Sequence, residues 1–302
     1  MAGGGRGIAV LSTAGAGDGR ILILAPHPDD EVVACGIAAM RAIAASGAHV
    51  FVFYLTTGVV QRDALWPWRR PSHGARLLRR QAEALQAAAL LGLEPVGVLN
   101  VASRHLRYHL DAAFGAVAEA IATSGADEVW VPAFEGGHQD HDAANALAAR
   151  VVDRVPVYEF AAYNFADSCA GANRFVRLNG SETAFVATPD EAQRKRRALE
   201  CYASERGNLR HIGVTAEAAR PLPAYDYGAP PHEGRLFRER FHWVPIRHPR
   251  VDFSPSSAVY RDIGAWASAG LTDRCPALGE APSGEAGQTE REFADAFDKA
   301  ER

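Results

Sequence analysis

The chain has 302 residues, of which 48% are hydrophobic and 23% charged, and a formal net charge of −4. That balance excludes a mainly disordered chain, and it supplies no basic surface for nucleic acid or an anionic membrane. No apolar run approaches the about 20 residues of a membrane-spanning helix, and the stretch at residues 8–11 is too short for a signal-peptide core, so a cytoplasmic protein is expected.

Residues 1–18 are rich in Gly and Ala and read as a flexible lead-in. The first strand is expected at residues 21–25, Ile-Leu-Ile-Leu-Ala, apolar at every position as in a strand buried on both faces. An Ala-rich helix over residues 31–46 follows, stopped by Gly47. Strands are then expected at residues 49–55, 96–101, 128–132 and 157–160, alternating with helices over 76–91, 110–123 and 141–152. This alternation predicts an α/β fold: a Rossmann-like, doubly wound and mostly parallel sheet with a C-terminal loop-rich extension.

The deduced organisation is a core over residues 19–205, a segment over 206–277 that packs on it and shapes the pocket, and a linker with a short terminal helix over 278–302. Within the core, a charged helix at residues 189–205 carries Arg194-Lys195-Arg196-Arg197, which reads as a solvated face. Residues 220–255, rich in Pro, aromatics and His, read as a long loop. At the end, Thr289-x-x-Glu292 is a capping-box pattern opening a helix with Phe293 and Phe297. Cys35, Cys169, Cys201 and Cys275 lie far apart and read as reduced thiols.

Two short motifs carry the chemistry. Ala25-Pro26-His27-Pro28-Asp29-Asp30-Glu31 falls where the first strand ends, and an open parallel sheet binds ligands beyond the carboxyl ends of its strands. Three adjacent carboxylates and an imidazole against an apolar strand repel one another unless a cation joins them. Glu135-Gly136-Gly137-His138-Gln139-Asp140-His141-Asp142 follows the strand at residues 128–132 and so lies at the same sheet edge. His138 and His141, three apart, share one side of a first helical turn, and Gly136 and Gly137 permit a tight approach of the backbone. One His and one Asp from the first motif with one His from the second make a three-ligand zinc set that keeps an open position, and leave further polar groups for catalysis.

Together the motifs resemble the PIG-L/LmbE-like zinc-dependent N-acetylglucosaminyl deacetylase family, and the resemblance extends from Arg20 to about Ser204, including the Arg80-x-x-Glu83 helix. It implies a Rossmann-like hydrolase that removes an N-acetyl group from an amino-sugar or glycoside, using zinc (Zn2+). By motif position, His27, Asp30 and His141 resemble the metal ligands, Asp29 the general base and His138 a second catalytic imidazole. Arg80 resembles an arginine near the substrate.

The residues alone leave other readings open. Two histidines and a carboxylate also form the ligand set of non-haem iron enzymes, and a non-catalytic sugar-binding protein stabilised by a structural metal is the other alternative. Glu31, Asp140 and Asp142 read as first-turn charges or as groups orienting the ligands. Thr56-Thr57-Gly58 ends the second strand at the same edge, where its hydroxyls meet substrate or form a turn. His232, after Pro230-Pro231, is a candidate substrate-binding residue that closes over the pocket, or else an exposed loop histidine. The other histidines, His49, His73, His105, His109, His211, His242 and His248, show no partner pattern, and nothing indicates an oligomer.

Overall fold

A computed structural model describes residues 19–167, 170–241 and 254–269. Strand β1 (Arg20–Ala25) is buried from Ile21 onward. Ile21, Ile23 and Ala25 enter one core cluster and Leu22 and Leu24 the other, which explains an apolar residue at every position of the run. Helix α1 (Asp30–Ser46) stops at Gly47, whose φ of 67° is left-handed. Then follow β2 (His49–Tyr54), α2 (His73–Leu91), β3 (Glu94–Val98), α3 (Leu110–Ser124), β4 (Glu128–Pro132), α4 (Gln139–Ala149) and β5 (Val157–Phe160). Beyond them lie the paired β6 (Tyr163–Asn164) and β7 (Gly171–Ala172), then β8 (Thr183–Val186), α5 (Pro189–Cys201), α6 (Arg206–Leu209), β9 (Ala216–Pro221) and α7 (Ser256–Ala269).

Among the described residues the main sheet has the order β3-β2-β1-β4-β5-β9-β8. The first five strands are parallel, and β9 is antiparallel to both of its neighbours. Helices α1, α2 and α5 cover one face, and α3, α4 and α7 the other. This is the α/β, doubly wound architecture expected from the strand and helix alternation. Because the strand order reverses between β1 and β4, their outgoing connections part there and open a crevice at the carboxyl ends.

Boundaries differ from the sequence expectation by a few residues. The third strand lies at Glu94–Val98, and the helix expected from residue 141 starts at Gln139 with His138 as its N-cap. The main sheet takes in β9, beyond residue 205. Helix α7 was not anticipated; its Val259, Tyr260 and Ile263 are buried in the core cluster that α4 also enters. The lead-in, the terminal helix with Phe293 and Phe297, Cys169, Cys275, His242 and His248 lie outside the described residues. Cys35 and Cys201 are free thiols, and among the described residues no helix is long and apolar enough to cross a membrane.

The basic run of α5 requires a correction. Arg194, Arg196 and Arg197 are solvated as expected, but Lys195 is 0% exposed. Its place is explained by a break in α1 at Cys35, where φ is −141° and ψ is 20°. Glu217 accepts the N–H groups of Ile37 and Ala38 at 2.8 and 3.0 Å. Lys195 Nζ donates to the Val33 carbonyl at 3.0 Å and to Glu217 at 2.6 Å, and Asn173 Nδ2 donates to the same carbonyl at 2.7 Å. An anion therefore caps the start of the second helical segment and a cation the end of the first, each matching the local dipole. Lys195→Met, which strands the buried Glu217 charge, is expected to lower the unfolding free energy by about 3–5 kcal/mol. Urea titration reads this, and a wild-type midpoint would deny the pair that weight.

Candidate metal centre

The first motif leaves β1 and enters α1 through an unusual residue. Asp29 has φ 139° and ψ −24°, a left-handed region that costs a non-glycine residue about 1–3 kcal/mol. Its N–H donates to Glu31 Oε2 at 3.0 Å, and the Tyr202 hydroxyl donates to the other oxygen of Glu31. Its carbonyl accepts from Val32 and Val33 at 3.0 and 2.9 Å, so the helix start itself holds the strained geometry.

The second motif is fixed in a similar way after β4. Gly136 has φ 64°, and its N–H donates to Asp142 Oδ1 at 3.0 Å, while the Tyr260 hydroxyl donates to Asp142 Oδ2 at 3.0 Å. His138 caps α4 through Nδ1, which accepts the Asp140 N–H at 3.1 Å. Asp142 thus orients the loop, one of the two readings its sequence position allowed.

These anchors bring the motifs together across the β1–β4 crevice. Asp30 Oδ2 lies 3.1 Å from His27 Nδ1 and 3.1 Å from His141 Nε2, and all three residues are almost fully buried. One potential ligand atom from each of His27, Asp30 and His141 lies within 4.8 Å of the others, and His27, His138 and Asp140 form a second such group. Hydrogen bonding separates the two. Asp140 accepts the N–H groups of Arg104 and Leu106 at 2.5 and 3.2 Å and lies 3.0 Å from His27 Nε2, so its oxygens are committed. His138 Nδ1 is committed as the helix cap.

In the first group, Nδ1 of His27 faces Asp30 while Nε2 is oriented by Asp140, the carboxylate–histidine arrangement typical behind a metal ligand. Burial alone would lower the His27 pKa, but hydrogen bonds to Asp140 and Asp30 raise it to about 10. A proton therefore sits on Nδ1 at the point where a cation would replace it, and the donor set of two imidazoles and a carboxylate suits a divalent ion with an open position. Burial alone would raise the Asp30 carboxyl, yet the His141 and His27 imidazoles hold it far below its usual range.

Asp29 stands apart from the ligand set. Arg80, extending from α2, donates through Nη2 to Asp29 Oδ2 at 2.7 Å, and its other contacts are Glu205 at 3.5 Å and Ser204 Oγ at 3.3 Å. Arg80 is 3% exposed, so its guanidinium is turned to protein groups, and its shortest contact orients Asp29. Burial pushes the Asp29 carboxyl up to about 7, against the lowering pull of Arg80. His138 is held neutral: burial first, and then the positive His27 whose ring lies 4.5 Å away, push it well below the imidazole range. With Nδ1 occupied as an acceptor, its single N–H is on Nε2.

His232 is buried rather than exposed in its loop, and Nε2 donates to the Glu135 carbonyl at 3.0 Å, tying the C-terminal segment to the second motif. Thr56 and Thr57 serve the turn after β2: Thr56 Oγ1 donates to the Pro26 carbonyl at 2.7 Å, and Thr57 Oγ1 to that of Val59 at 3.3 Å. A cavity of about 230 Å³ lies on the β2–β3 side of Pro28, lined by Thr57, Leu77, Leu85 and Val98 among others. The sequence reading missed Tyr202 and Tyr163, whose hydroxyl lies 3.3 Å from His141 Nε2. Tyr163 sits in a two-residue strand with no periodicity, so no local signal marked it.

The family described as GlcNAc-PI de-N-acetylase, PIG-L, matches residues 22–152. The 2'-N-acetylparomamine deacetylase of Streptomyces fradiae is 37% identical over 140 residues, covering 41% of this chain and 48% of that protein. The chain thus spans about half the length of this curated relative. A deacetylase of the teicoplanin biosynthesis pathway superposes with a TM-score of 0.53 at 21% identity, over 68% of this chain and 99% of its own. A 4-carboxy-2-hydroxymuconate hydratase from Pseudomonas putida reaches 0.51 at 19% identity, over 68% and 97%. At such identities the two structures share the fold, and one fold thereby hosts two reactions. The match over residues 22–152 takes in both motifs and the crevice between them, so the part of the chain that bears the site is the part similar to the PIG-L family.

Proposed function

We propose that this chain hydrolyses the N-acetyl group of an amino-sugar-containing small molecule or glycoside, using a zinc ion held by His27, Asp30 and His141. The observation that carries the reading is the meeting of the two motifs on one carboxylate oxygen, Asp30 Oδ2, at 3.1 Å from each histidine. The paromamine relative adds the substrate class, an N-acetylated amino sugar. When bound, the ion supplies Lewis acidity toward the amide carbonyl and lowers the pKa of water.

The chain's own residues do the rest. Asp29, unprotonated and oriented by Arg80, takes a proton from the attacking water as its oxygen bonds to the carbonyl carbon. His138 donates its Nε2 hydrogen to the oxyanion that develops, and as a neutral group it does so without a competing charge. The C–N bond then breaks with its electron pair on nitrogen, which receives the proton held by Asp29; acetic acid and the free amine leave, and the acid passes its remaining proton to the amine or to water to become acetate. Glu31 and Tyr202 keep Asp29 in its strained conformation through these steps.

Stoichiometric release of acetate and primary amine from N-acetylated amino sugars, by the zinc-loaded protein, is the expected result. Absence of both across a panel of aminoglycoside and N-acetylglucosamine derivatives would overturn the reading. Turnover of unsaturated acids in place of amides would move the chain to hydratase chemistry, and binding of sugars without turnover to a non-catalytic role. Activity restored by iron in preference to zinc would change the metal alone.

A further inference from the structure

We infer that the loop joining β2 to α2, together with the first turns of α2, is a surface that docks the protein on an anionic lipid bilayer. The surface stands apart from the metal centre, and the inference does not depend on the hydrolase reading. Residues 62–79 hold five arginines, Arg62, Arg69, Arg70, Arg76 and Arg79, against one acid, Asp63, a local formal charge of +4 with His73 neutral, in a chain whose total is −4. The net charge hides this excess, so the expectation that no basic surface faces an anionic membrane does not hold for this loop.

Apolar side chains stand among these charges. Trp68 is 71% exposed and Leu78 64%, so most of each side chain gains nothing from folding. Trp68 lies flat against Trp66, with ring centroids 5.1 Å apart and planes 6° from parallel. The loop that carries them is braced. Leu65 is buried, Pro67 opens the short 3-10 turn Pro67–Ser72, and Arg70 donates to the carbonyls of Leu65 and Asp63 at 3.2 Å each. The indole of Trp68 is therefore held outward by the backbone fold of the loop. Arg79 pairs with Glu83 at 2.9 Å and Arg70 with Asp63 at 3.9 Å, whereas Arg62 and Arg69 are exposed and make no ion pair among the described residues.

This combination selects its occupant by chemistry. Arginine attracts the phosphates of anionic lipids, and each cation near such a surface strengthens partition about fivefold. Tryptophan settles at the headgroup level, and an aliphatic side chain beside it enters the acyl boundary. A nucleic acid or an acidic protein would match the arginines and leave Leu78 unmatched. The loop leaves β2 at the carboxyl edge of the sheet, and its Val59 carbonyl accepts the Ser103 N–H at 3.0 Å. Ser103 belongs to the same connection as Arg104 and Leu106, whose N–H groups hold Asp140. Docking by this surface therefore brings the edge that bears the crevice to the bilayer.

Sedimentation of the full chain with vesicles tests the inference. Binding to phosphatidylcholine vesicles is expected to be weak, to rise when phosphatidylglycerol is included, and to fall with added salt as the charges are screened. Arg62→Gln combined with Arg69→Gln should weaken partition about 25-fold, at about fivefold for each charge. Trp68→Ser combined with Leu78→Ser should weaken it about tenfold or more. Arg196→Gln combined with Arg197→Gln, on the solvated side of α5, is the control and should bind like the wild type. All of these side chains are exposed, and a urea midpoint equal to that of the wild type establishes that each variant folds. Sedimentation that ignores phosphatidylglycerol, or a loss as large in the α5 control, overturns the inference. Tighter binding to duplex DNA than to the vesicles would assign the arginines to nucleic acid. A dimer in lipid-free solution that Trp68→Ser abolishes would assign the apolar pair to a second copy of the chain, and either result overturns the inference as well.

Discussion

Asp29→Asn protein is expected to load zinc like the wild type and to turn over about 10²–10⁴-fold more slowly, the usual contribution of a positioned general base. The separation of binding from rate follows from three features. Asp29 is not in either group of residues whose atoms converge for a metal, so its charge is not needed to hold the ion. Its φ of 139° falls in a region that Asn tolerates about as well as Asp. An amide oxygen can still accept from Arg80 Nη2, which now lies 2.7 Å from Asp29 Oδ2. What disappears is the capacity to take a proton.

The wild-type rate should therefore rise with pH as Asp29 deprotonates. Burial places that carboxyl at about 7 in the protein without a metal, and a neighbouring cation lowers it further. The acid limb of kcat/KM belongs at or below neutrality and should be missing from Asp29→Asn. Equal turnover by the two proteins, with metal content equal, would strip Asp29 of the role.

The second large effect concerns the metal itself, and it decides between the two convergent groups at the crevice. Asp30→Asn should lose more metal affinity than the about 10–100-fold that an outer orienting partner costs, whereas Asp140→Asn should fall within that range. Chelator competition ranks the three proteins, and an Asp140→Asn protein weaker than Asp30→Asn would place the centre at His27, His138 and Asp140 instead. Loading also has a proton signature. With the His27 pKa raised to about 10 by Asp140 and Asp30, the metal-free imidazole is charged at neutral pH. A zinc ion held by His27 would displace a proton from that imidazole, so calorimetry in buffers of different ionisation enthalpy should report about one proton released per ion at pH 7. Affinity then increases with pH over this range.

The chain order of the first five strands, the sheet edge to which the two motifs come, and the candidate residues His27, Asp29, Asp30, His138 and His141 that converge there were legible in the sequence. Their signals are local: an apolar run, a glycine stop, and a dense motif after a strand, each encoded within a handful of neighbouring positions. Asp140 and Asp142 were legible as orienting groups but not by partner, since their contacts reach His27, 113 positions away, and Tyr260, 118 away. Lys195 looked like one charge in a solvated run, because nothing in α5 itself announces that α1 breaks at Cys35 and needs a cation there.

Amino-acid order by itself thus determined which elements form and which chemical groups stand at their ends, because turn, cap and amphipathic preferences act over single turns of chain. Only the tertiary structure decided that Asp30 Oδ2 is shared by His27 and His141, that Arg80 is spent on Asp29, and that Tyr163 reaches the same centre. Those pairings depend on how α2, β6 and α4 pack around β1 and β4, and packing selects partners by shape and burial across distances at which sequence spacing carries no geometric information.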